Sequence, residues 1–543
     1  MPKLFSNVPK AYNEPSKDYA PGSVDRVLLK KALNDLKSSE VDIPMYINGK
    51  KIYTGNKIKI SPPHETHYTL GYYHKGDESH VEMAIQAALN AKEAWEAMDW
   101  RDRASIFLKA ASLISGKYRY KLVAATMLGQ SKSVHQAEID AGNELPDFLR
   151  FNVEYLTEIY EMQPNSAVDE WNRIQQRPLE GFVFALSPFN FTAIGGNLPT
   201  APAMTGNTVV WKAAEKQIYS AAIIMEILME AGLPPGVINL VHVSGPLAGN
   251  IIFNHPDFAG IHYTGSTEVF QSIWKQIVNN IEKYRSYPRI VGETGGKNFV
   301  LAHESANARE VSTAIVRGGF EYQGQKCSAA SRVYLPLNRW SEIEQVLTEQ
   351  LSKIKIGSVE KFTNFMNAVI DEKAFEKIVG YIERARRSSD CKIIYGGNYT
   401  KEQGYFIEPT VILTTNPLYE TMREEIFGPV VTIYLYDAKK YNEVLDLIDR
   451  TAVYGLTGSL FARDRDVIVS TTHRLRHAAG NYYINDKPTG AVVGRQPFGG
   501  ARGSGTNDKA GAALNLHRWL SPRTIKENFL PPTDFEYPFM QEG

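Results

Sequence analysis

Short apolar segments alternate with amphipathic helical segments through the middle of this chain, and this alternation limits the folds that it can adopt. The runs Gly181–Ala185, Thr208–Lys212 and Val237–Val243 have the length and apolar character of buried strands. Between the last two, Lys216–Ala231 places apolar residues at helical spacing, and Gly232 is suited to end that helix. Strand–helix–strand alternation predicts parallel βαβ units, in which ligands bind at the carboxyl ends of the strands.

The residues before this region have a different pattern. Asn48-Gly49 lies between two short β-prone runs and is typical of a two-residue hairpin turn. Long helical patterns follow, and they predict helices over His80–Met98, Arg101–Ile114, Tyr120–Gly129 and Val134–Tyr160.

The bulk composition excludes several classes of protein. With 543 residues, 43% of them hydrophobic and 22% charged, the chain is long enough for more than one globular domain. Its 60 Lys and Arg residues balance 60 Asp and Glu residues, which argues against nucleic acid or an anionic membrane as a general partner and leaves a local basic patch open. No apolar run approaches the roughly 18 residues that a membrane span needs.

The N-terminus and the cysteines bear on the compartment. Met1–Lys17 has neither the apolar core of a secretion signal nor the arginines of a mitochondrial transit peptide, so we expect a cytoplasmic protein, with the mitochondrial matrix as the alternative. Only two cysteines are present, which favours a reducing compartment over a disulfide framework. No Cys/His cluster has zinc-ligand spacing, so we predict no metal site.

Cys327 lies in the stretch Gly-Gln-Lys-Cys-Ser at 324–328. A lone cysteine is usually a small buried hydrophobic residue, and that interpretation stands beside the functional one. Its neighbours Gly324, Lys326 and Ser328 are an unusual lining for a packed core. A partly exposed thiol near backbone N–H groups and a cation would ionise readily, and the thiolate is the nucleophile. We therefore expect Cys327 to be a partly exposed catalytic thiol.

The dinucleotide fingerprint Gly-x-Gly-x-x-Gly is absent from the sequence. In its place, Thr264-Gly265-Ser266-Thr267 lies between a predicted strand and a predicted helix. Backbone N–H groups at the start of that helix are suited to hold a phosphate. The same residues are equally typical of an ordinary turn with an N-cap, so this signal alone does not decide between the two.

Four motifs taken together resemble the aldehyde dehydrogenase superfamily. They are Ser-Pro-Phe-Asn at 187–190, Glu-Thr-Gly-Gly-Lys at 293–297, Gly-Gln-Lys-Cys-Ser at 324–328 and Glu-Glu-Ile-Phe-Gly-Pro at 424–429. They occur in the order typical of that superfamily, and the resemblance extends from about Met45 to near the C-terminus. One departure is Thr294, where the commonest pattern has leucine.

The resemblance implies an α/β chain with an aldehyde dehydrogenase-like fold in several parts. These are an N-terminal lead-in over 1–40, a Rossmann-type NAD-binding domain over 41–164 and 178–296, an α/β catalytic domain over 297–505, and a β oligomerisation element over 165–177 and 506–543. Segment 165–177 is expected to form a β-hairpin that joins the C-terminal tail in adding strands to a partner subunit. A homodimer or higher homo-oligomer is therefore expected.

The resemblance also implies a catalytic set of Cys327, Glu293 and Asn190. The Cys327 thiolate would attack an aldehyde carbon, and the Asn190 amide with the Cys327 backbone N–H would stabilise the resulting oxyanion. Glu293 would activate the water that hydrolyses the thioester. From the residues alone, Asn190 could instead be a turn residue after Pro188, and Glu293 a carboxylate paired with a lysine.

The implied cofactor is NAD. Lys212 and Glu215 would lie near the adenosine ribose, where a glutamate accepts a hydrogen bond from a free 2′-hydroxyl and repels a 2′-phosphate; nearby lysines could offset that repulsion. Further contacts with the cofactor are implied at Gly265, Ser266, Glu425 and Phe427. From the residues alone, Phe427 is better explained as part of the hydrophobic core.

Longer strings at 187–197, 320–329 and 496–508 resemble the members of this superfamily that oxidise glutamate γ-semialdehyde. The small-molecule substrate would then carry an α-carboxylate and an α-ammonium far from its aldehyde. The resemblance implies substrate contacts at Ser187, Phe191, Ser328, Gly490, Ala491 and Phe498. Some relatives have serine at the position of Ala491, so one hydroxyl contact is expected to be missing.

Other functions stay open at the level of sequence. The chain could act on another aldehyde or pass its acyl group to coenzyme A, although Glu293 favours hydrolysis. It could also be an inactive binding protein with this fold, since fold alone does not determine function. The presence of Cys327, Asn190 and Glu293 together favours the NAD-dependent enzyme.

Overall fold

A computed structural model describes residues 8–542. Within those residues the chain forms two seven-stranded sheets, each packed between helices, together with one three-stranded sheet and three two-stranded ribbons. The sheets and helices together confirm the predicted α/β class. The two large sheets hold the hydrophobic core, in which aromatic side chains such as Trp211 and Phe299 are fully buried.

The first sheet contains the βαβ region that the sequence predicts. Its strands, in spatial order, are Arg289–Glu293, Phe258–Thr264, Phe182–Leu186, Thr208–Lys212, Ile238–Val241, Met45–Ile47 and Lys50–Ile52. The first five run parallel, and the last two form the predicted Asn48-Gly49 hairpin. The strand order reverses between Phe182–Leu186 and Phe258–Thr264, and the crevice at the carboxyl ends of such strands is where α/β sheets bind ligands.

The second sheet is formed by the C-terminal half of the chain. Its strands, in spatial order, are Cys391–Tyr395, Thr410–Thr414, Val430–Tyr436, Ala330–Pro336, Asn298–Ala302, Thr457–Phe461 and Asn481–Ile484. All pairs are parallel except the one that Cys391–Tyr395 makes at the edge. Cys327 precedes strand Ala330–Pro336, whereas Glu293 ends a strand of the first sheet. The carboxyl edge of one sheet therefore meets the amino edge of the other.

Helices cover both large sheets. Those of the N-terminal half are Val24–Lys37, Glu78–Ala97, Trp100–Ser115, Arg119–Gln130, Val134–Ala137, Leu145–Glu161, Thr192–Met204, Ile218–Ala231, Gly245–Ile252 and Thr267–Asn279. Those of the C-terminal half are Ala308–Phe320, Trp340–Leu351, Glu372–Arg387, Glu420–Arg423, Tyr441–Thr451, Arg465–Arg474 and Ala513–His517. Gly232 ends the Ile218–Ala231 helix in the left-handed conformation with φ 106°, as predicted.

The prediction of one continuous helix over Val134–Tyr160 is wrong in a way that matters for the site. A π-helical segment, Glu138–Glu144, interrupts it between Val134–Ala137 and Leu145–Glu161. Apolar periodicity detects a helix but does not register the one-residue change of phase that a π-segment introduces. Such segments are frequent at functional sites.

The predicted hairpin at 165–177 is also wrong. Strand Glu170–Pro178 pairs instead with Leu520–Asn528 of the C-terminal tail, in antiparallel register from Pro178 opposite Leu520 to Glu170 opposite Asn528. Local sequence cannot report a partner strand about 350 residues away in the chain. The remaining small sheets comprise Val41–Ile43, Gly71–His74 and Lys57–Ile60, the pair Tyr399–Thr400 and Phe406–Ile407, and the pair Tyr454–Gly455 and Ala501–Arg502. The domain boundaries given above stay a prediction.

Candidate active site

Cys327 and Glu293 lie in contact where the two large sheets meet. The Cys327 thiol donates a hydrogen bond to Glu293 Oε1 with a separation of 3.0 Å. Burial raises the pKa of the thiol well above its ordinary value, and the neighbouring Glu293 carboxylate raises it further. Burial also raises the pKa of Glu293, to about 7, although the hydrogen bond from the thiol and the charge of Lys509 oppose that rise. The thiol and the carboxylate are therefore placed to share one proton.

The thiol is more buried than the sequence predicts. Cys327 is only 8% exposed, so the expectation of a partly exposed, readily ionised thiol is wrong. Lys326 does not supply a free cation, because its ammonium pairs with Glu321 at 3.1 Å. Ionisation of the thiol must therefore depend on Glu293 as the proton acceptor.

A tight backbone turn brings Cys327 to this position. Helix Ala308–Phe320 ends just before it, and Tyr322, Gln323 and Gly324 then adopt positive φ angles of 51°, 57° and 67°. A side chain at Gly324 would overlap the Gly428 carbonyl oxygen, so glycine is required there. Left-handed backbone at two non-glycine residues stores strain, which is typical of functional sites.

Asn190 reaches the same place from the first sheet. Its side-chain amide donates to the Gln325 carbonyl at 3.1 Å, and the residue is 4% exposed. That bond uses one of the two amide N–H groups of Asn190 and fixes the orientation of the amide. Its partner, Gln325, lies two residues before Cys327 in the chain. The second N–H group can donate to an atom bound at the thiol.

A cavity of about 400 Å³ opens from Cys327. Of the substrate-contact residues predicted from the sequence, the cavity walls contain Phe191, Ser328, Gly490, Ala491 and Phe498. Three separate parts of the chain therefore meet around the thiol.

Ser187 is the exception among the predicted substrate contacts, since it is absent from the walls of this cavity. Its hydroxyl donates to Gln217 Oε1 at 2.9 Å and accepts from the Trp211 indole N–H at 3.0 Å, and the residue is 3% exposed. The hydroxyl supports the packing of the first sheet. A motif records which residue stands at a position and not the partner of its side chain, here Trp211 on the neighbouring strand, so the substrate contact of Ser187 stays a prediction.

Glu144 is a candidate residue that the sequence analysis missed. It ends the π-helical segment and lines the cavity, and burial raises the pKa of its carboxyl group to about 8. The negative charge of Asp140 adds to this rise, and the positive charge of Lys132 opposes it without cancelling it. One feature of the sequence could have identified Glu144. Three acidic residues, Glu138, Asp140 and Glu144, occur close together in a helical stretch that is otherwise buried.

Lys212 and Glu215 lie at the carboxyl end of a central strand of the first sheet. Lys212 ends strand Thr208–Lys212 and is 9% exposed, and burial lowers the pKa of its ammonium while Glu215 opposes that change. Among the described residues, this ammonium forms no hydrogen bond or ion pair with another side chain or with the backbone. Glu215 is exposed beside it. A largely buried ammonium whose nitrogen still reaches solvent, next to a carboxylate, is suited to bind a sugar hydroxyl.

Gly265 and Ser266 precede helix Thr267–Asn279 in the same crevice. Ser266 is the N-cap, and its hydroxyl accepts from the Val269 N–H. The Gly265 N–H donates to the Glu293 carbonyl at 3.2 Å, and this bond links the Gly265 turn to the strand that ends at Glu293. The N–H groups of the first turn of the helix face the position where a phosphate is stabilised.

Glu425 and Phe427 approach Cys327 from the second sheet. Glu425 Oε1 accepts from the Gly296 N–H at 2.8 Å, and burial raises the pKa of its carboxyl group. Phe427 has a positive φ of 59° and packs edge to face on Phe189, with ring centroids 5.8 Å apart. It is half-buried, so it is not the core residue that the sequence alone favoured. Left-handed backbone at a phenylalanine is strained, which is typical of a ligand site.

Within residues 8–542, no helix is long and apolar enough to cross a membrane. No group of three or more His, Cys, Asp or Glu residues in that range is placed to hold a metal ion.

Comparisons with known proteins agree with this geometry. A model of the aldehyde dehydrogenase family matches residues 52–525. The chain is 51% identical over 534 residues to the Delta-1-pyrroline-5-carboxylate dehydrogenase of Agaricus bisporus, covering 98% of this chain and 97% of the relative. It is 49% identical over 539 residues to the mitochondrial Delta-1-pyrroline-5-carboxylate dehydrogenase of Dictyostelium discoideum, covering 98% of this chain and 96% of the relative.

Among solved structures, the Delta-pyrroline-5-carboxylate dehydrogenase of Mycobacterium tuberculosis bound with NAD superposes with a TM-score of 0.96. It is 48% identical in sequence, and the match covers 100% of both chains. The match to the family model, the relatives and the shared fold lead to one conclusion: this chain belongs to the aldehyde dehydrogenase family.

Proposed function

We propose that this chain catalyses the NAD-dependent oxidation of L-glutamate γ-semialdehyde to L-glutamate, the second step of proline catabolism. The semialdehyde is in equilibrium with 1-pyrroline-5-carboxylate, the compound in the names of the relatives. The observation that carries the proposal is the Cys327 thiol, hydrogen-bonded to Glu293, in a cavity whose wall also contains the Glu144 carboxyl group. That arrangement provides a nucleophile, a base and a site for a cationic group.

The nucleophilic step begins with the hydrogen bond between Cys327 and Glu293. Glu293 accepts the thiol proton as Cys327 Sγ attacks the aldehyde carbon, which gives a tetrahedral thiohemiacetal. The oxygen of the former aldehyde gains negative charge, and the Asn190 amide and the Cys327 backbone N–H donate to it. The amide is already oriented by its bond to Gln325, so little reorganisation is needed.

Oxidation and hydrolysis complete the reaction. NAD, when bound, accepts a hydride from the carbon attached to Cys327, and a thioester remains on the sulfur. Glu293 first releases the thiol proton to solvent, and, with its pKa raised to about 7 by burial, it then accepts a proton from the attacking water near neutral pH. The thioester bond then breaks, glutamate leaves, and Cys327 recovers its proton.

The far end of the substrate carries an ammonium and a carboxylate. Glu144 is suited to the ammonium, because an arriving positive charge compensates the burial that raises its pKa to about 8. The Ser328 hydroxyl, which lies 2.7 Å from that of Thr489, and the backbone of Gly490 and Ala491 are suited to the carboxylate. These contacts discriminate an amino acid semialdehyde from a plain aldehyde.

Two aromatic side chains lie between these two ends of the cavity. Phe191 and Phe498 both belong to its walls and can pack against the short aliphatic stem of the substrate. Ser187, also predicted as a substrate contact, lies outside the walls of this cavity, where its hydroxyl bonds to Gln217 and Trp211.

The cofactor site uses the crevice of the first sheet. Lys212 and Glu215 would hold the adenosine ribose, and the Glu215 carboxylate would repel a 2′-phosphate, which favours NAD over NADP. The remaining residues of the proposed cofactor site are Gly265, Ser266, Glu425 and Phe427. Gly265 contributes there through its position and not as a donor, since its N–H is bonded to Glu293.

The assembly and the compartment are part of the same proposal. The ribbon of Glu170–Pro178 and Leu520–Asn528, with exposed aromatics in the following tail such as Phe535 and Phe539, would join two copies of the chain into a homodimer or a higher homo-oligomer. The predicted cytoplasmic location has the mitochondrial matrix as its alternative. The name of the Dictyostelium relative, which places that protein in mitochondria, supports the alternative.

The proposal is tested by NADH formation, followed by absorbance, with the purified chain and a panel of aldehydes. We expect turnover of glutamate γ-semialdehyde at a much lower KM than that of propanal, which lacks the amino acid end. We also expect a much lower kcat/KM with NADP than with NAD. Turnover of propanal alone would disprove the substrate assignment, and no turnover of any aldehyde would favour an inactive binding protein.

A further inference from the structure

The N-terminal segment Tyr12–Lys17, called the strap below, forms part of the cavity that opens from Cys327. Asn13, Glu14 and Ser16 belong to the walls of that cavity, although they precede Cys327 by more than 300 positions. No motif of the sequence predicts a role for them, and the family model begins only at residue 52. Their function must be inferred from their contacts.

The strap is attached firmly to the helical wall of the cavity. The Glu14 carboxylate, which accepts from Arg119 at 2.7 Å and from Arg150 at 2.9 Å, is the main anchor. The Asn143 amide donates to the Glu14 carbonyl at 2.6 Å, which joins the strap to the π-helical segment that ends at Glu144. The Lys17 N–H donates to the Glu138 carboxylate at 2.8 Å, at the other end of that segment.

Asn13 connects this wall to the opposite one. Its amide nitrogen donates to Asp147 Oδ2 at 2.9 Å and to the Val493 carbonyl at 2.8 Å, which uses both of its N–H groups. Its amide oxygen accepts from the Arg495 guanidinium at 3.1 Å. Val493 and Arg495 belong to the same loop as Gly490 and Ala491 of the cavity wall. One side chain therefore joins the helix after Glu144 to the loop that includes Gly490 and Ala491.

We propose that Asn13 is a positioning residue that sets the distance between the two groups that recognise the amino acid end of the substrate. This inference rests on the function proposed above. Glu144 and the Gly490–Ala491 backbone would hold the ammonium and the carboxylate, which are attached to the same carbon atom. The distance between Glu144 and the Gly490–Ala491 backbone must therefore match the fixed distance between the two groups of the substrate. The Gly490–Ala491 loop has no secondary structure of its own, so a contact from outside the loop is needed to hold it at that distance.

The strap makes no hydrogen bond to Cys327, Glu293 or Asn190 within residues 8–542. Loss of the Asn13 amide should consequently weaken recognition of the amino acid end and leave the chemistry at the thiol intact. The effect should fall on KM for glutamate γ-semialdehyde and not on kcat. A plain aldehyde, which has no amino acid end, should not be affected.

The test compares Asn13→Ala with the unmodified full chain in NADH formation from glutamate γ-semialdehyde and from propanal. We expect KM for the semialdehyde to rise about five- to tenfold, which is the size expected when one partly buried hydrogen-bonded contact is lost. Both kcat and the kcat/KM for propanal should be unchanged. Asn13→Asp, which keeps the shape and the oxygen that accepts from Arg495, should raise KM similarly, because it cannot donate to Val493.

Tyr12→Ala is the matched control within the strap. Tyr12 is 58% exposed and does not line the cavity, and its ring packs on Arg150, so its loss should leave KM unchanged. An unchanged semialdehyde KM in both Asn13 variants, or an equal loss with both aldehydes, would overturn the inference while the proposed function stands. Failure of the unmodified chain to oxidise the semialdehyde would overturn the proposed function and this inference together.

Discussion

The Cys327 thiol donates its proton toward Glu293 Oε1 across 3.0 Å, and both groups are buried where the two large sheets meet. Burial raises the pKa of each, so neither group ionises easily alone. Together they hold one proton between a nucleophile and a base. Activation of the thiol therefore depends on its partner carboxylate and not on a nearby cation.

This pairing predicts how the rate depends on pH. Glu293 acts as a base only when ionised, and its pKa is raised to about 7, so kcat should rise about tenfold per pH unit below 7 and level off above it. The measurement is NADH formation at saturating substrate across pH 5 to 9. Glu293→Gln should lower kcat by about 10²- to 10⁴-fold and abolish the rise near pH 7. Persistence of the same profile in that variant would assign the titration to another group.

Asn190→Ala tests the oxyanion site. The variant removes the amide that is oriented by Gln325, so we expect kcat to fall by about 10²- to 10³-fold while the affinity for NAD is unchanged. Steady-state kinetics and a titration of NAD binding measure the two quantities separately. A kcat within threefold of the unmodified chain would exclude this role for Asn190.

Glu144→Gln tests recognition of the substrate ammonium. Loss of a charged hydrogen-bond acceptor should raise KM for glutamate γ-semialdehyde about ten- to a hundredfold, because bonds to charged groups are the stronger ones. Propanal has no ammonium, so its kcat/KM should stay the same. The control Glu161→Gln changes an exposed glutamate at the end of the following helix and should have no effect. Equal losses with both aldehydes would contradict the assignment.

Glu215→Ala tests the choice of cofactor. Removing the carboxylate beside Lys212 should raise kcat/KM with NADP relative to NAD by about fivefold, since a repulsion near the protein surface is lost. The ratio is obtained from NADH and NADPH formation with one aldehyde. Glu443→Ala, which changes an exposed glutamate on a helix of the second sheet, is the control and should leave the ratio unchanged. An unchanged ratio in Glu215→Ala would place the selectivity elsewhere.

Much of the fold could be predicted from local patterns. Strand Thr208–Lys212 and the turn at Asn48-Gly49 depend on residues adjacent in the chain, and both are confirmed. The contact of Cys327 with Glu293 was expected only through the resemblance of the motifs. Apolar periodicity and turn chemistry depend on residues close together in the chain, which is why the sequence alone predicts them.

The features that could not be predicted depend on distant parts of the chain. Strand Glu170–Pro178 pairs with the C-terminal tail, and the Ser187 hydroxyl bonds to Trp211 on the neighbouring strand. Glu144 escaped notice because a π-helical segment and an ordinary helix share nearly the same apolar pattern. The contact of Asn13 with Val493, across 480 positions, has no local signature at all.

Covalent catalysis at Cys327 is tested by comparing the unmodified chain with Cys327→Ala in NADH formation from glutamate γ-semialdehyde and NAD. We expect steady NADH formation by the unmodified chain and none above background by the variant, because no other side chain is placed to form the thioester within the described cavity. NADH formation by Cys327→Ala at the rate of the unmodified chain would contradict covalent catalysis at this thiol.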